Sequence, residues 1–407
     1  MPSPADSSLR HHFPIFAHME RQGIPFHYLD TAATSQKPQG VIDAITRYYA
    51  EGCGTIHRAL YPLAEETTDA YQSVRRQVAA FLNSKEEEVL FTSGTTGGIN
   101  QIARSIAPLL PPKGEIIVSA MEHHANLIPW QELCRREGFS LKILPLDERG
   151  DLSLSALEEM LSPKTALVAV THLSNVTGGV NPLPLLAERV HASGALLIVD
   201  GAQAASILPL NMQALGADAY AFSGHKMGGP TGIGVLYLQE KLLNRLPPSS
   251  FGGDMVSSVS PLSATYQEPP LRFEAGTPHI AGVIGLGAAL SFLTEASQEF
   301  LFAHDQDLLR YTLDILGDQP GIRILGNPRQ RAHLLTFTIE GVHPLDLGAL
   351  LSTRGICART GKLCAEPLIS HFGISSALRF SFGPYTTRSD IEQGAAALAE
   401  ASALLFS

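Results

Sequence analysis

The sequence predicts an α/β protein, with a mostly parallel sheet covered by helices and a smaller α+β part after it. Three observations carry this reading. From Leu141, strand, helix and strand follow in turn (141–146, 154–161, 165–173), and such alternation argues for a parallel sheet. Two later apolar runs, 195–199 and 219–222, lead into chemistry-bearing residues, Asp200 and Lys226. After Gly282 the pattern changes to one long small-residue helix and then a mixture of strands and helices. At 407 residues, 44% hydrophobic and 17% charged, the chain holds ample material for one large and one small domain.

Taken in order, residues 1–25 read as an arm with a short amphipathic helix over 12–22. Residues 26–29 form a short strand, followed by Asp30-Thr31-Ala32-Ala33-Thr34, whose small residues let backbone pass close to a site. Pro38 starts a helix running to about Tyr49. Residues 65–81 are helical and 88–92 a strand. Ser93-Gly94-Thr95-Thr96-Gly97-Gly98 then opens a helix whose free N–H groups and dipole suit a phosphate. Thr95 and Thr96 add hydroxyl donors, although a plain helix cap reads the same way. Strand 115–120 ends at Met121-Glu122-His123-His124-Ala125-Asn126, and Pro129-Trp130 lies on the next helix. Ser174-Asn175 makes a turn after strand 165–173, and helix 183–192 precedes the Asp200 strand. Strands at 323–325, 334–339 and 378–382 and helices at 344–354 and 388–405 give the α+β pattern. The chain divides into an arm (1–25), a large domain (26–280) and a small domain (281–407).

Lysine normally occupies a solvated helix face. Lys226 instead sits in a Gly-rich turn, Ser223-Gly224-His225-Lys226-Met227-Gly228-Gly229, between the apolar runs 219–222 and 233–238. Desolvation there favours the neutral amine. A neutral amine forms an imine with an aldehyde, and pyridoxal 5'-phosphate (PLP) is the usual aldehyde for such a lysine. Read alone, the turn fits an incidental lysine equally well. Asp200 tips the balance, because it ends a buried strand at the carboxyl edge where α/β sheets bind ligands. A carboxylate there holds a pyridine nitrogen protonated and makes the ring an electron sink.

Composition excludes several classes. The net charge is −10 with no long basic block, which argues against nucleic acid as the main partner. Apolar runs are of strand length and none approaches the ~18 residues of a membrane span. Residues 1–12 are polar and lack the apolar core of a signal peptide. The four cysteines, Cys53, Cys134, Cys357 and Cys364, form no Cys-x-x-Cys pair, so no metal site is expected. Few, scattered cysteines fit a reducing, cytoplasmic setting.

The Asp200-Gly201-Ala202-Gln203 and Ser223-Gly224-His225-Lys226 blocks resemble the class V aminotransferase family. Within it they are similar to cysteine desulfurases of the SufS type, a group overlapping with selenocysteine lyases. Further matching blocks run from Tyr28 to beyond Arg379. The resemblance implies the PLP-dependent transferase fold (fold type I), with a seven-stranded, mostly parallel sheet in the large domain. It implies a Schiff base between PLP and Lys226. The phosphate falls to Thr95, Thr96, Ser223 and His225, and Asp200 to the pyridine nitrogen. His123 would stack on the ring and move protons, with a pKa near working pH, while His124 would only cap its helix. Asn175 and Gln203 share the phenolic oxygen, and Asn175 also reaches the substrate carboxylate. Thr277 corresponds to a residue by which a partner subunit reaches the phosphate, implying a homodimer.

The block Ala358-Arg359-Thr360-Gly361-Lys362-Leu363-Cys364-Ala365-Glu366-Pro367 resembles the family's catalytic cysteine loop. Here Lys362-Leu363 replaces two histidines. Arg359 and Lys362 lie near Cys364 in sequence, and cations lower a thiol's pKa. By resemblance Cys364 attacks the sulfur of L-cysteine, and Arg359 and Arg379 serve the substrate. L-alanine leaves, and a persulfide on Cys364 passes to a SufE-like acceptor for iron–sulfur cluster assembly or other sulfur delivery. Tyr61, Gly228, Pro384 and Thr386 also depart from the usual pattern. Two other readings stay open at this point. One is a selenocysteine lyase or another class V lyase or epimerase. The other is a non-catalytic binding subunit.

Overall fold

The computed structural model describes residues 9–317 and 319–406; the first eight residues of the arm lie outside it. A seven-stranded sheet dominates. Across it the strands run Val89–Thr92, Gly234–Leu238, Ala219–Ser223, Leu196–Asp200, Thr165–Thr171, Glu115–Ser119 and Ser140–Leu144. Gly234–Leu238 is antiparallel to both neighbours, and the remaining pairs are parallel. Every residue of Thr165–Thr171 is buried, as expected of a parallel strand covered on both faces.

Strand direction decides where the chemistry goes. Val89–Thr92 and Ala219–Ser223 are each antiparallel to the strand between them, so they point the same way. The segments carrying Thr95, His123, Asn175, Asp200 and Lys226 therefore all leave from one edge of the sheet. The helix Thr95–Ser105 lies close against the sheet, because a Cβ at Gly98 would meet Ala221 Cβ at 3.3 Å and Leu236 Cβ at 3.4 Å. That approach sets the helix start beside the Ser223 end of its neighbouring strand.

A second, antiparallel sheet orders Ile322–Ile324, Leu334–Ile339, Ala377–Ser381 and Arg359–Gly361. Leu308, Phe337, Leu347, Phe380 and Leu398 fill its core. The arm and the segment after it are stitched to this part of the chain. His27–Tyr28 pairs with Ile356–Cys357, Asp30 bridges Ser381, and Arg10 pairs with Asp390 at 2.7 Å.

Three elements differ from the sequence reading. The arm helix is split into a 3-10 turn, Leu9–His12, and an α-helix, Pro14–Arg21, since proline favours the first helical turn. The helix Gln298–Gly317 carries enough charged residues to mask its buried stripe of Leu301, Leu308, Leu309, Thr312 and Leu316. A two-stranded ribbon, Val256–Ser260 with Ser263–Tyr266, projects from the surface. Its serines give no alternating apolar signal.

The block around Thr277 is fastened to the core by a buried ion pair. Arg75 Nη2 lies 2.8 Å from Glu274 Oε2, with side chains only 2% and 5% exposed. Phe91 N–H also donates to Glu274 Oε1 at 2.8 Å. Glu274→Ala leaves that guanidinium buried without its anion, which costs about 3–5 kcal/mol. Chemical denaturation is expected to show a loss of that size.

Candidate active site

A cavity of about 360 Å³ opens at the carboxyl edge of the large sheet. Thr95, Thr96, His123 and Asn175 line it, with Asp200, Gln203, Ser223, His225 and Lys226. The second sheet and its loop contribute Arg359, Cys364 and Arg379. Of the residues expected to serve the coenzyme, the substrate or catalysis, Thr277 alone is not on this wall. It is exposed, beyond the 3-10 turn Leu271–Phe273.

Lys226 closes the 3-10 turn Gly224–Lys226 directly after its strand. Burial lowers its amine to about 8, with Asp200 opposing and Arg379 adding to the shift. The amine is therefore protonated below that pH and neutral above it. Acylation of Lys226 by an amine-reactive reagent should rise through pH ~8 and then level off, whereas an ordinary lysine keeps gaining reactivity to ~10.4. Site-resolved mass spectrometry of the apoprotein reads this directly.

Asp200 ends the central strand and is 3% exposed. Its Oδ1 accepts from Ala202 N–H at 2.9 Å. Burial raises its carboxyl, and Ala202 N–H and Lys226 work against that. A buried carboxylate with one backbone donor is under-compensated, so a cation or N–H beside it is favoured.

His123 corrects one expectation. Burial, with Lys226, His124 and Arg379 adding, pushes its ring down to about 4, so it is neutral at working pH. Its Nδ1 accepts from Ala125 N–H at 3.0 Å, which puts the ring proton on Nε2. His123 is thus itself the cap expected of His124. The main chain of His124 instead grips the cysteine loop, its N–H donating to Cys364 O at 2.8 Å.

Sequence reasoning missed Glu122. It is 2% exposed and accepts from Ser119 Oγ, from Asn126 Nδ2 at 2.6 Å and from Thr171 N–H at 2.8 Å. Asn126 Oδ1 in turn accepts from Trp130 Nε1 at 3.0 Å. Burial raises the Glu122 carboxyl to about 8 despite these donors. The chain Trp130–Asn126–Glu122 braces the turn that presents His123. Its signal was the four-residue spacing of the three residues.

At the far end, Gly94 adopts φ +131°, a conformation that needs glycine. It turns the chain into the helix Thr95–Ser105. Thr95 N–H donates to Ser223 Oγ at 2.8 Å, and Thr95 Oγ1 lies 2.8 Å from the same oxygen. A groove lined by Thr95, Thr96, Ser223 and His225 continues outward from there.

The opposite wall carries two guanidinium groups, Arg359 and Arg379. Arg379, 3% exposed, donates from Nη1 to Asn175 O at 2.8 Å, and its Nη2 lies 3.4 Å from Asp30 Oδ1. Its Nε is buried without a hydrogen-bond partner. Burial lowers the guanidinium to about 10, with Asp30 opposing. Asp30 belongs more closely to Arg359, at 2.6 Å from Oδ2 to Nη2. Gln203 donates from Nε2 to Ala32 O at 2.9 Å, leaving Oε1 buried without a partner.

Cys364 is exposed. Leu363 and Cys364 both take left-handed backbone, φ +54° and +53°, at a cost of roughly 1–2 kcal/mol each. The loop is held from outside. Asn175 Nδ2 donates to Leu363 O at 2.7 Å, so its donor serves the loop rather than facing an empty cavity. The Leu363 side chain is only 8% exposed and joins the large core. Arg359 is paired with Asp30, and Lys362 with Glu366, while Lys226, Arg359 and Arg379 of the cavity lie within electrostatic reach of Cys364.

A family profile, Aminotransferase class-V, matches residues 27–393. The chain belongs to the class V aminotransferase family. It is 43% identical over 382 residues to a probable cysteine desulfurase of Halalkalibacterium halodurans, covering 93% of this chain and 94% of the relative. It is 42% identical over 400 residues to a cysteine desulfurase of Salmonella agona, covering 98% of each. Among solved structures it resembles the Escherichia coli cysteine desulfurase CsdA, with a TM-score of 0.91, 38% identity and 99% of both chains covered. The apo cysteine desulfurase of Thermococcus onnurineus NA1 is similar too, with a TM-score of 0.92, 33% identity and 98% of both chains covered.

Proposed function

We infer that the protein is a PLP-dependent cysteine desulfurase, converting L-cysteine to L-alanine with a persulfide left on Cys364. The observation that carries this is one cavity shared by a lysine amine lowered to about 8, a buried carboxylate and the loop of a cysteine.

The residues present fit PLP. Asp200 is buried with one backbone N–H donor, Gln203 Oε1 is a buried polar atom without a partner, and a glycine-started helix opens at the far end. Thr95, Thr96, Ser223 and His225 would hold the phosphate. Asp200 would hold the pyridine nitrogen, His123 the ring face, and Asn175 and Gln203 the phenolic oxygen. When bound, the coenzyme supplies an electron sink that lets the α-proton leave and the Cβ–S bond break.

The chain's own residues supply the rest. Arg379 takes the substrate carboxylate, and its partnerless buried Nε supports that role. Arg359, tied to Asp30, borders the same carboxylate position. Lys226 Nζ takes and returns the α-proton. The Cys364 thiolate attacks the substrate sulfur, so that an S–S bond forms as the Cβ–S bond breaks, and a proton completes the methyl of alanine. The exposed position of Cys364 supports delivery of the outer sulfur to a SufE-like acceptor.

A homodimer with shared sites is the reading that Thr277 supports, since it is exposed and off its own chain's cavity wall. The ribbon Val256–Tyr266 supports it too. Such a ribbon is marginal alone, and it exposes Val259 by 65% and Leu262 by 98%. The four free thiols support a cytoplasmic setting. The test is to mix the pure protein with cysteine alone. One alanine per site should appear, with 32 Da, roughly one sulfur atom, added to the Cys364 peptide as a persulfide. Alanine without that adduct would sink the assignment of Cys364.

A further inference from the structure

The peptide that precedes Lys226 is gripped from one side by the Thr34–Lys37 segment. Four donors converge on the His225 carbonyl oxygen: Ser35 N–H at 2.9 Å, Ser35 Oγ at 3.0 Å, Lys37 Nζ at 3.0 Å and Thr34 Oγ1 at 3.2 Å. Thr34 Oγ1 also lies 3.2 Å from His225 Nδ1. A carbonyl oxygen has two lone pairs and a threonine hydroxyl has one proton, so these contacts compete. Ser35 Oγ accepts from Gly228 N–H at 2.7 Å, and its own proton is then directed at the carbonyl. Lys37 is anchored a second time on Ser35 O at 2.6 Å. With the carbonyl saturated by Ser35 and Lys37, the Thr34 proton goes to the ring nitrogen.

We propose that Thr34 and Lys37 are positioning residues that fix His225 as its Nε2–H tautomer, aiming a single N–H at the coenzyme phosphate. A neutral imidazole carries one ring proton, and its place decides whether the ring donates or accepts. His225 is neutral here. Burial pushes it down to about 4, and Lys226 and then Lys37 add to that shift. A hydroxyl donating to Nδ1 leaves the proton on Nε2. With the opposite tautomer, a bare Nε2 lone pair would face a dianion and repel it. The roles are linked, because Lys37 Nζ bridges Ser35 O and the His225 carbonyl, holding the Ser35 donors on that carbonyl and leaving the Thr34 proton to the ring.

The inference rests on the coenzyme reading above. The test compares the affinity of the full-length apoprotein for PLP and for pyridoxal, which lacks the phosphate, by the growth of visible absorbance. Thr34→Val should weaken PLP binding about tenfold, the value of roughly one hydrogen bond to a charged group. It should leave pyridoxal binding unchanged. Thr34→Ser, which keeps the hydroxyl, should bind PLP like the native protein. Lys37→Met should show the same phosphate-selective loss, and Lys37→Arg should recover most of it. Equal losses for PLP and pyridoxal in Thr34→Val would mean a merely structural contact and overturn the proposal, as would no loss at all. If Lys37→Met fails to fold, the Thr34 pair still decides. A native protein that binds neither ligand would overturn the coenzyme reading itself, an outcome distinct from failure of the variants alone.

Discussion

Cys364→Ala is expected to abolish alanine formation from cysteine, by on the order of 10³-fold or more, as for loss of a covalent nucleophile. The visible absorbance of the bound coenzyme should survive, because Cys364 sits on a loop whose hold on the cavity runs through main-chain atoms. Replacing an exposed thiol by a methyl group leaves those carbonyls where they are. Loss of turnover with intact colour therefore separates the nucleophile from the coenzyme site. Turnover that persists in this variant would instead mean a class V lyase that needs no thiol.

Lys226→Ala should be at least as damaging, since one amine both anchors the coenzyme and moves the α-proton. A fall of on the order of 10³-fold or more is expected, as such positioned proton transfers contribute 10²–10⁴-fold before the anchoring loss is counted. Borohydride treatment should fix the coenzyme covalently to the native chain and not to this variant. Covalent fixation of equal extent in Lys226→Ala would assign the anchor to another amine. Lys37, also lowered to about 8 by burial, is the nearest rival in chemistry. Its Nζ, however, is committed to the carbonyls of Ser35 and His225.

Much of this was legible in the sequence because the sheet speaks in a simple code. Buried parallel strands read as unbroken apolar runs, and Asp200 and Lys226 follow such runs directly. Topology then brings their ends together at one edge. What the sequence hid were properties of environment. His123 reads as a histidine of ordinary pKa, yet desolvation and two nearby cations keep it neutral. Arg359 and Lys362 read as an electropositive setting for Cys364, yet each has a carboxylate beside it, and Asp30 comes from more than three hundred residues away. Glu122 sat in view inside a recognised block. Only its burial under the Ser119 and Thr171 strand ends shows that it braces the turn. The helix Gln298–Gly317 was obscured for a different reason, since its charged residues interrupt the apolar pattern while its buried stripe stays helical.

The anchorage of the cysteine loop has one more consequence. Asn175 Nδ2 and His124 N–H hold the carbonyls of positions 363 and 364, groups that every amino acid carries. Those two contacts therefore do not depend on which side chains stand at 362 and 364. Leu363 adds an apolar anchor in the large core, whereas exposed Lys362 can change the face of the cavity entrance while the reactive atom keeps its address.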